Sequence, residues 1–264
     1  VAVLHSRGIY HGDLNRNNII LTPQGRLCLI DVQELFFLPR IPHRLRVHNL
    51  GRILFNFYSF SDPEQWAVEL LTGYNKDAPK LLSASAVIKA ARFHQQRRYR
   101  SRSKRCCMNS TEFVVVKSDN WKGYKRKTFR WKPMDLKQAL EKGQPIKGSH
   151  VISYQDVCIK KQPRRHFHAD RCLTSWKMSR ALEVRGIAVP RSLGYFVINN
   201  ISCFIAELLV DRCHLNTYLS SLSDEKVKRQ ALKKLALWLR NFHDSNVWQR
   251  DFKSSNILYQ NGKY

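Results

Sequence analysis

The sequence predicts an α+β protein built from two partial units, and three observations carry that reading. Residues 1–93 and 111–264 both place apolar residues in helical and strand periods. Between them, residues 94–110 (HQQRRYRSRSKRCCMNS) are polar and basic with no apolar periodicity, which suggests a basic linker or exposed arm. One short pattern, Asp-x-x-x-x-Asn leading into an apolar strand, stands once in each patterned zone, at Asp13–Asn18 and at Asp251–Asn256.

In the first zone, Arg26–Val32 reads as a short buried strand ending on an acid, and Asn49–Phe60 as a helix. Asp62-Pro63-Glu64-Gln65 is a helix start, with Asp as cap and Pro at the first helical position. Another helix is expected over Pro79–Phe93. In the second patterned zone, Asp135–Lys142 reads as a short helix. Val151–Tyr154 and Asp156–Lys161 read as paired strands. His166–Arg185 reads as a helix stopped by Gly186 and Pro190. Ser192–Ile198 and Cys203–Leu208 form a strand pair through Asn199-Asn200. A long helix follows over Asp224–His243, with Leu232, Leu235, Leu239 and Phe242 on one face.

The 264 residues hold 46 Lys and Arg against 20 Asp and Glu, a formal charge of +26. A hydrophobic fraction of 43% is enough to build cores and excludes global disorder. The charge excess points to a polyanionic partner: nucleic acid, an anionic membrane surface or a phosphorylated substrate. The seven cysteines are odd in number and never fall as CxxC, which argues against a disulfide framework or a zinc site and for reduced thiols. Cys106-Cys107 is expected as an exposed thiol pair, because adjacent cysteines rarely bridge. His166 and His168 have no third partner in view and read as solvated histidines at a helix start. No apolar run approaches the roughly 18–20 residues of a spanning helix. The chain opens at Val1 in what reads as the end of a helix, and the expectation is a fragment.

The repeated pattern carries the chemistry. The first copy is His11-Gly12-Asp13-Leu14-Asn15-Arg16-Asn17-Asn18, followed by Ile19-Ile20-Leu21. The second is Gln249-Arg250-Asp251-Phe252-Lys253-Ser254-Ser255-Asn256, followed by Ile257-Leu258. The second resembles the protein-kinase catalytic loop H-R-D-x-x-x-x-N, with Gln in the His place. In such a loop the Asp accepts or orients the proton of the attacking hydroxyl, which gives Asp13 and Asp251 the catalytic role. The Asn turns back to hold a metal ion on the nucleotide phosphates, the role of Asn18 and Asn256. A second metal-binding Asp follows on the next strand: Asp31 stands eighteen residues after Asp13, room for a loop, a hairpin and a strand. The equivalent position after Asp251 falls past Tyr264. Gly12 departs from the pattern in the Arg place, and Asp31-Val32-Gln33 is not D-F-G.

Upstream of the second copy, Val157-Cys158-Ile159-Lys160-Lys161 ends a strand on Lys, as V-A-I-K does, so that the ammonium neutralises nucleotide phosphates. Spacing fits Lys160 and Lys161 equally; strand alternation puts Lys160 on the face of Cys158 and Lys161 on that of Ile159, and Lys160 is preferred. Glu183 is the available helix carboxylate for that Lys. Cys203-Phe204-Ile205-Ala206-Glu207 resembles the strand into an interlobe hinge, placing Glu207 beside the adenine.

The first copy with Leu29-Ile30-Asp31, and Trp176–Arg191 with its Leu182, Gly186-Ile187 and Pro190-Arg191, resemble the bacterial lipopolysaccharide core (Kdo/heptose) kinases, which have a protein-kinase-like fold. Asn120-Trp121-Lys122-Gly123-Tyr124 is similar to the start of that family's N-lobe. The resemblance implies a partial C-lobe in 1–93, and an N-lobe with the beginning of a C-lobe in 111–264. It implies an ATP- and Mg2+-dependent transfer of phosphate to a sugar hydroxyl of the lipopolysaccharide core, at the cytoplasmic face of the inner membrane. The family places its helix Glu where this chain has Ser175, which leaves a pseudokinase open for the second unit. Lys253, two residues after Asp251, resembles instead the Ser/Thr kinases, whose Lys at that place contacts the transferred phosphate; the first copy has Asn15 there.

Two other readings stand beside this one: a protein or small-molecule kinase, and an inactive basic scaffold on membrane or nucleic acid. The run 78–111 holds nine Lys and Arg and no acid, and 117–132 adds seven more basic residues among four aromatics. With few aromatics in the first run and no nucleic-acid fold motif, nucleic acid is disfavoured against an anionic membrane surface or a phosphorylated glycolipid, at ~1 kcal/mol per basic residue near a membrane.

Overall fold

The structure, a computed structural model, describes residues 1–56, 62–76, 81–118, 121–164, 168–210 and 212–260. Asn120, His166 and the expected helix limits at Phe60 and Pro79 lie outside them. The chain is an α+β protein of two compact units, Val1–Tyr99 and Arg100–Tyr264.

The first unit opens with the short helix α1 (Ala2–Ser6) and strand β1 (Ile9–His11). A single 3-10 turn, Arg16–Asn18, leads into β2 (Ile19–Leu21), which pairs antiparallel with β3 (Leu27–Leu29). A second 3-10 turn, Val32–Glu34, leads into β4 (Leu35–Phe37), which returns antiparallel to β1 with His11 opposite Leu35. One ribbon is thus nested inside the other, and the nesting brings the Asp13 loop and Asp31 to the same end. The β3 strand is not buried as its apolar composition suggested: Leu27 is 74% exposed, because a two-stranded ribbon leaves a face uncovered.

Three helices complete this unit: α2 (His43–Phe55), α3 (Pro63–Asn75) and α4 (Ala84–Lys104). Asp62 caps α3 as its sequence indicated, accepting from the amides of Glu64 and Gln65. Leu50 and Leu54 of α2, Leu71 and Tyr74 of α3, and Val87 and Ala91 of α4 form one buried cluster. A Cβ on Gly51 would lie 2.5 Å from that of Ala90, so glycine is what lets α2 and α4 approach this closely. Residues 94–104, which their composition marked as a linker, are helical; His94 is buried on the α4 face that packs in this unit.

The second unit is a seven-stranded antiparallel sheet with helices on its faces. Its strands are β5 (Phe113–Lys117), β6 (Lys122–Arg126), β7 (Gln144–Lys147), β8 (Val151–Tyr154), β9 (Val157–Pro163), β10 (Ser192–Ile198) and β11 (Ile201–Glu207), in the order β5-β6-β10-β11-β9-β8-β7. The turn between β10 and β11 holds Asn199 and Asn200, both at positive φ (47° and 60°), which asparagine tolerates better than other non-glycine residues. Alternation sorts the core to the two faces. Ile159, Cys203, Ile205, Phe196 and Ile198 pack with Leu136 and Ala139 of helix α5 (Pro133–Lys142). Tyr195 packs on the other face with Cys172 and Trp176 of helix α6 (Arg171–Val184), and Phe204 lies against that cluster. After the sheet come β12 (Cys213–His214), α7 (Leu215–Ser221), α8 (Glu225–Asp244), a 3-10 turn at Ser254–Asn256 and β13 (Leu258–Tyr259), which pairs with β12. Cys106 is buried, not exposed as expected, with Sγ 3.7 Å from that of the half-buried Cys107.

Candidate active site

The Asp13 loop is held by its own side chains. Asn18 Nδ2 donates to the Asp13 carbonyl at 2.9 Å, and Asn15 Nδ2 donates to the same oxygen at 3.2 Å. His11 is buried. Its Nδ1 accepts from the Asp13 amide at 3.1 Å, so the neutral ring carries its proton on Nε2, which faces the Ile30 carbonyl at 3.4 Å. The Ile30 amide in turn donates to the Asn18 carbonyl at 3.0 Å. The loop therefore grips Ile30 at both backbone groups, and the next residue is Asp31. Asp31 is exposed and sits in the left-handed region, at φ 61° and ψ 46°. For a non-glycine residue that conformation is strained, and such strain concentrates at functional positions.

Gly12 stands where a kinase loop has Arg, and the space explains it. A Cβ there would meet the Glu34 carboxylate at 2.9 Å and the Phe36 ring at 3.0 Å. The guanidinium comes instead from α2. Arg52 pairs with Asp13 Oδ1 at 2.8 Å and also donates to the Gly12 carbonyl. One turn earlier on the same helix, Asn49 Nδ2 donates to the His11 carbonyl at 2.8 Å. Its Oδ1 accepts from His5 Nε2 at 3.1 Å, and His5 Nδ1 then accepts from the Tyr74 hydroxyl at 2.8 Å. Burial holds the His5 pKa below its ordinary value, consistent with this neutral tautomer. Asn49 and Arg52 were missed in the sequence; their i, i+3 spacing on a helix behind the loop is the signal that was present.

The Asp251 loop has the same backbone. Asn256 Nδ2 donates to the Asp251 carbonyl at 2.9 Å, and a 3-10 turn again leads into a strand. Here Asn256 also reaches Asp251 Oδ2 at 3.2 Å, and Lys253 Nζ lies 3.0 Å from that oxygen. The Lys253 ammonium, with help from Asn256, holds the Asp251 carboxyl below the usual carboxylate range.

In the sheet, β9 turns Cys158 and Lys160 toward α6, and Lys160 Nζ donates to Ser175 Oγ at 3.2 Å. Lys161 lies on the opposite face of the strand, with its amide bonded to the His150 carbonyl at 2.8 Å. Glu183 does not take the place expected of it. Its carboxylate belongs to Arg126, Arg180 and Ser192, because it lies two turns further along α6 than Ser175. Glu207 ends β11 and borders a cavity of about 960 Å³. Leu182, Val189, Trp238, Phe242 and Asn256 also line it, so the cavity joins Glu207 to the Asn256 loop; Lys160 is not part of its wall.

In the first unit the oxygen donors of Asn18 and Asp31 suit a hard cation such as Mg2+, and in the second the side-chain oxygen of Asn256 is of the same kind. Asn18 spends its Nδ2 on the loop, which leaves Oδ1 for a metal. Among the described residues no cluster of three His, Cys, Asp or Glu stands ready for a metal. A Mg2+ shared with nucleotide phosphates needs only one or two carboxylates, so the donor set fits. Among the described residues no helix is long and apolar enough to cross a membrane.

Residues 1–74 match the model of the Lipopolysaccharide kinase (Kdo/WaaP) family. The match falls wholly within the first unit. That segment contains the Asp13 loop, Asp31, Asn49 and Arg52, and it ends before the second unit begins. No curated protein and no solved structure matches the chain.

Proposed function

We propose that this chain comes from an ATP- and Mg2+-dependent phosphotransferase acting on a sugar hydroxyl of the lipopolysaccharide core. The observation that carries the reading is the grip of the Asp13 loop on Ile30, which places Asp31 next to a catalytic-loop arrangement inside the segment that matches the lipopolysaccharide kinases. Arg52 occupies Asp13 Oδ1, leaving Oδ2 to accept the hydrogen bond of the acceptor hydroxyl and orient it. Asn18 and Asp31 hold the metal; in the second unit Asn256 has that role, Lys160 (or Lys161 beside it) meets phosphate and Glu207 borders the base. Bound Mg-ATP supplies the phosphoryl group and neutralises its charge. The protein's share is positioning. The charge of the basic segments is what supports a location on the anionic inner face of the inner membrane, with a phosphorylated glycolipid as substrate.

The second unit supports another reading, a pseudokinase: Lys160 donates to a serine where the family has its carboxylate. Asp251–Lys253, in the Ser/Thr-kinase arrangement, keeps a protein substrate in view for that unit.

Transfer of labelled phosphate to core glycolipid, with a generic protein substrate alongside, tests these readings. Asp13→Ala is expected to lower glycolipid transfer by about 10²–10⁴-fold while nucleotide binding persists. Asp251→Ala reports in the same way on the second unit. Full activity in both single variants and in the double variant would sink the proposal.

A further inference from the structure

A small polar cavity of about 310 Å³ lies in the second unit, against α6, and none of its lining residues belongs to the Asp251 loop. Its wall is Arg102, Arg105, Glu112, Arg180, Glu183 and Val184. Both carboxylates are already engaged. Glu183 Oε2 accepts from Arg126 at 2.5 Å and from Arg180 at 3.2 Å. Glu112 Oε1 accepts from Arg180 at 2.9 Å, and its Oε2 lies 3.5 Å from Arg126. Arg126 and Arg180 therefore balance the two glutamates, and the Phe113 ring, within 5.0 Å of both guanidinium carbons, fixes them in place.

What remains is a surplus of donors. Arg102 and Arg105 are exposed, three residues apart, and bring two further positive charges to the cavity. Arg180 is nine-tenths buried, and its Nε–H has no acceptor among the described residues. A cavity walled by guanidinium groups, with its carboxylates spent and a donor to spare, lacks an anion acceptor. The two uncompensated charges match a phosphate dianion, and planar guanidinium forks match its oxygens. We propose that this cavity binds a phosphoryl group, from free inorganic phosphate or from the phosphomonoester headgroup of a lipid. Arg100, two residues before Arg102 on α4, adds a further positive charge that raises the local concentration of either source.

The test measures orthophosphate binding calorimetrically to the full chain, to Arg102→Ala/Arg105→Ala and to Lys160→Ala. Saturable binding that weakens at least about tenfold in the double arginine variant and survives in Lys160→Ala supports the site and separates it from any nucleotide pocket. Phosphatidylcholine vesicles doped with phosphatidic acid or with phosphatidylglycerol identify the source. Preference for phosphatidic acid, lost in the double arginine variant, assigns the lipid headgroup; orthophosphate binding without vesicle binding assigns the free ion. Absence of saturable binding to both orthophosphate and phosphatidic acid, or equal binding by wild type and the double arginine variant, overturns the proposal. Both arginines are exposed, so loss of the fold does not confound the variant.

Discussion

The two Asp-x-x-x-x-Asn loops share a backbone and differ in what stands behind it. In both, the asparagine amide closes on the aspartate carbonyl at 2.9 Å. Around Asp13 the closure is only the beginning: His11 and Asn18 are buried, α2 supplies Asn49 and Arg52, and the loop holds the strand that precedes Asp31. Around Asp251 the carboxylate bonds only within its own loop among the described residues, and it is 68% exposed against 42% for Asp13. Spacing alone makes the turn. A helix packed behind it converts the turn into a held site, because preorganisation requires partners that do not move with the loop.

The largest effect should come from removing that support. Asn49→Ala strands the His11 carbonyl and the His5 Nε2–H without partners in a buried setting, and is expected to cost the first unit about 2–4 kcal/mol in urea unfolding. Asn256→Ala, at an exposed position, is expected to cost less than about 1 kcal/mol. Equal losses would break the comparison.

Acid should also find the first unit. Burial lowers the pKa of His5, His48 and His94, the last to about 4, and His48, Arg52 and Arg97 near His94 push the same way. The unfolded chain therefore binds these protons first. Stability is level above the ordinary histidine pKa of about 6.5 and falls as pH drops from there toward 4. Thermal melts across that window should show the loss, and His94→Gln should reduce it. A midpoint independent of pH would mean that the histidines are more open to water than their packing indicates.

Much of this was legible in the residues. That the Asp13–Asn18 loop and Asp31 lie at one end of the nested ribbons was legible from spacing, because a loop and the hairpin after it fix the chain length between them. The Asn199-Asn200 turn and the Asp62 cap were legible because each is a local rule. Arg52 was not, because the loop's missing guanidinium is supplied from forty residues away, and Gly12 read only as a departure. Glu183 was drawn to Lys160 by its residue type alone; helix phase carried it to Arg126 and Arg180 instead. Residues 94–104 looked like a linker for want of an apolar stripe. Arg and Lys are good helix formers, and a helix that buries only its first turns needs no stripe further on.

The Ser175 position sharpens the contrast at Lys160. Lys160 now bonds to a neutral hydroxyl. Ser175→Glu would give it a charge-assisted partner and hold the ammonium in one place, and is expected to tighten Mg-ATP binding to the chain by about three- to tenfold. An unchanged affinity would show that Lys160 does not meet phosphate and would favour the pseudokinase reading of the second unit.

The smallest effect belongs to the exposed loop itself. The Lys253 ammonium is the main cause of the low Asp251 pKa, with the Asn256 amide second. Lys253→Ala should therefore move the Asp251 titration, followed by carboxyl carbon NMR, upward toward the ordinary carboxylate value. A depressed carboxyl adds stability above its unfolded pKa and loses it as pH falls through the folded one. At an exposed pair, water and salt screen that contribution, so the melting temperature near neutral pH should hardly change. A titration that stays low without Lys253 would leave Asn256 as the main support, with the charge of Lys147 behind it, and the second loop would then be held chiefly by its asparagine, as the first is.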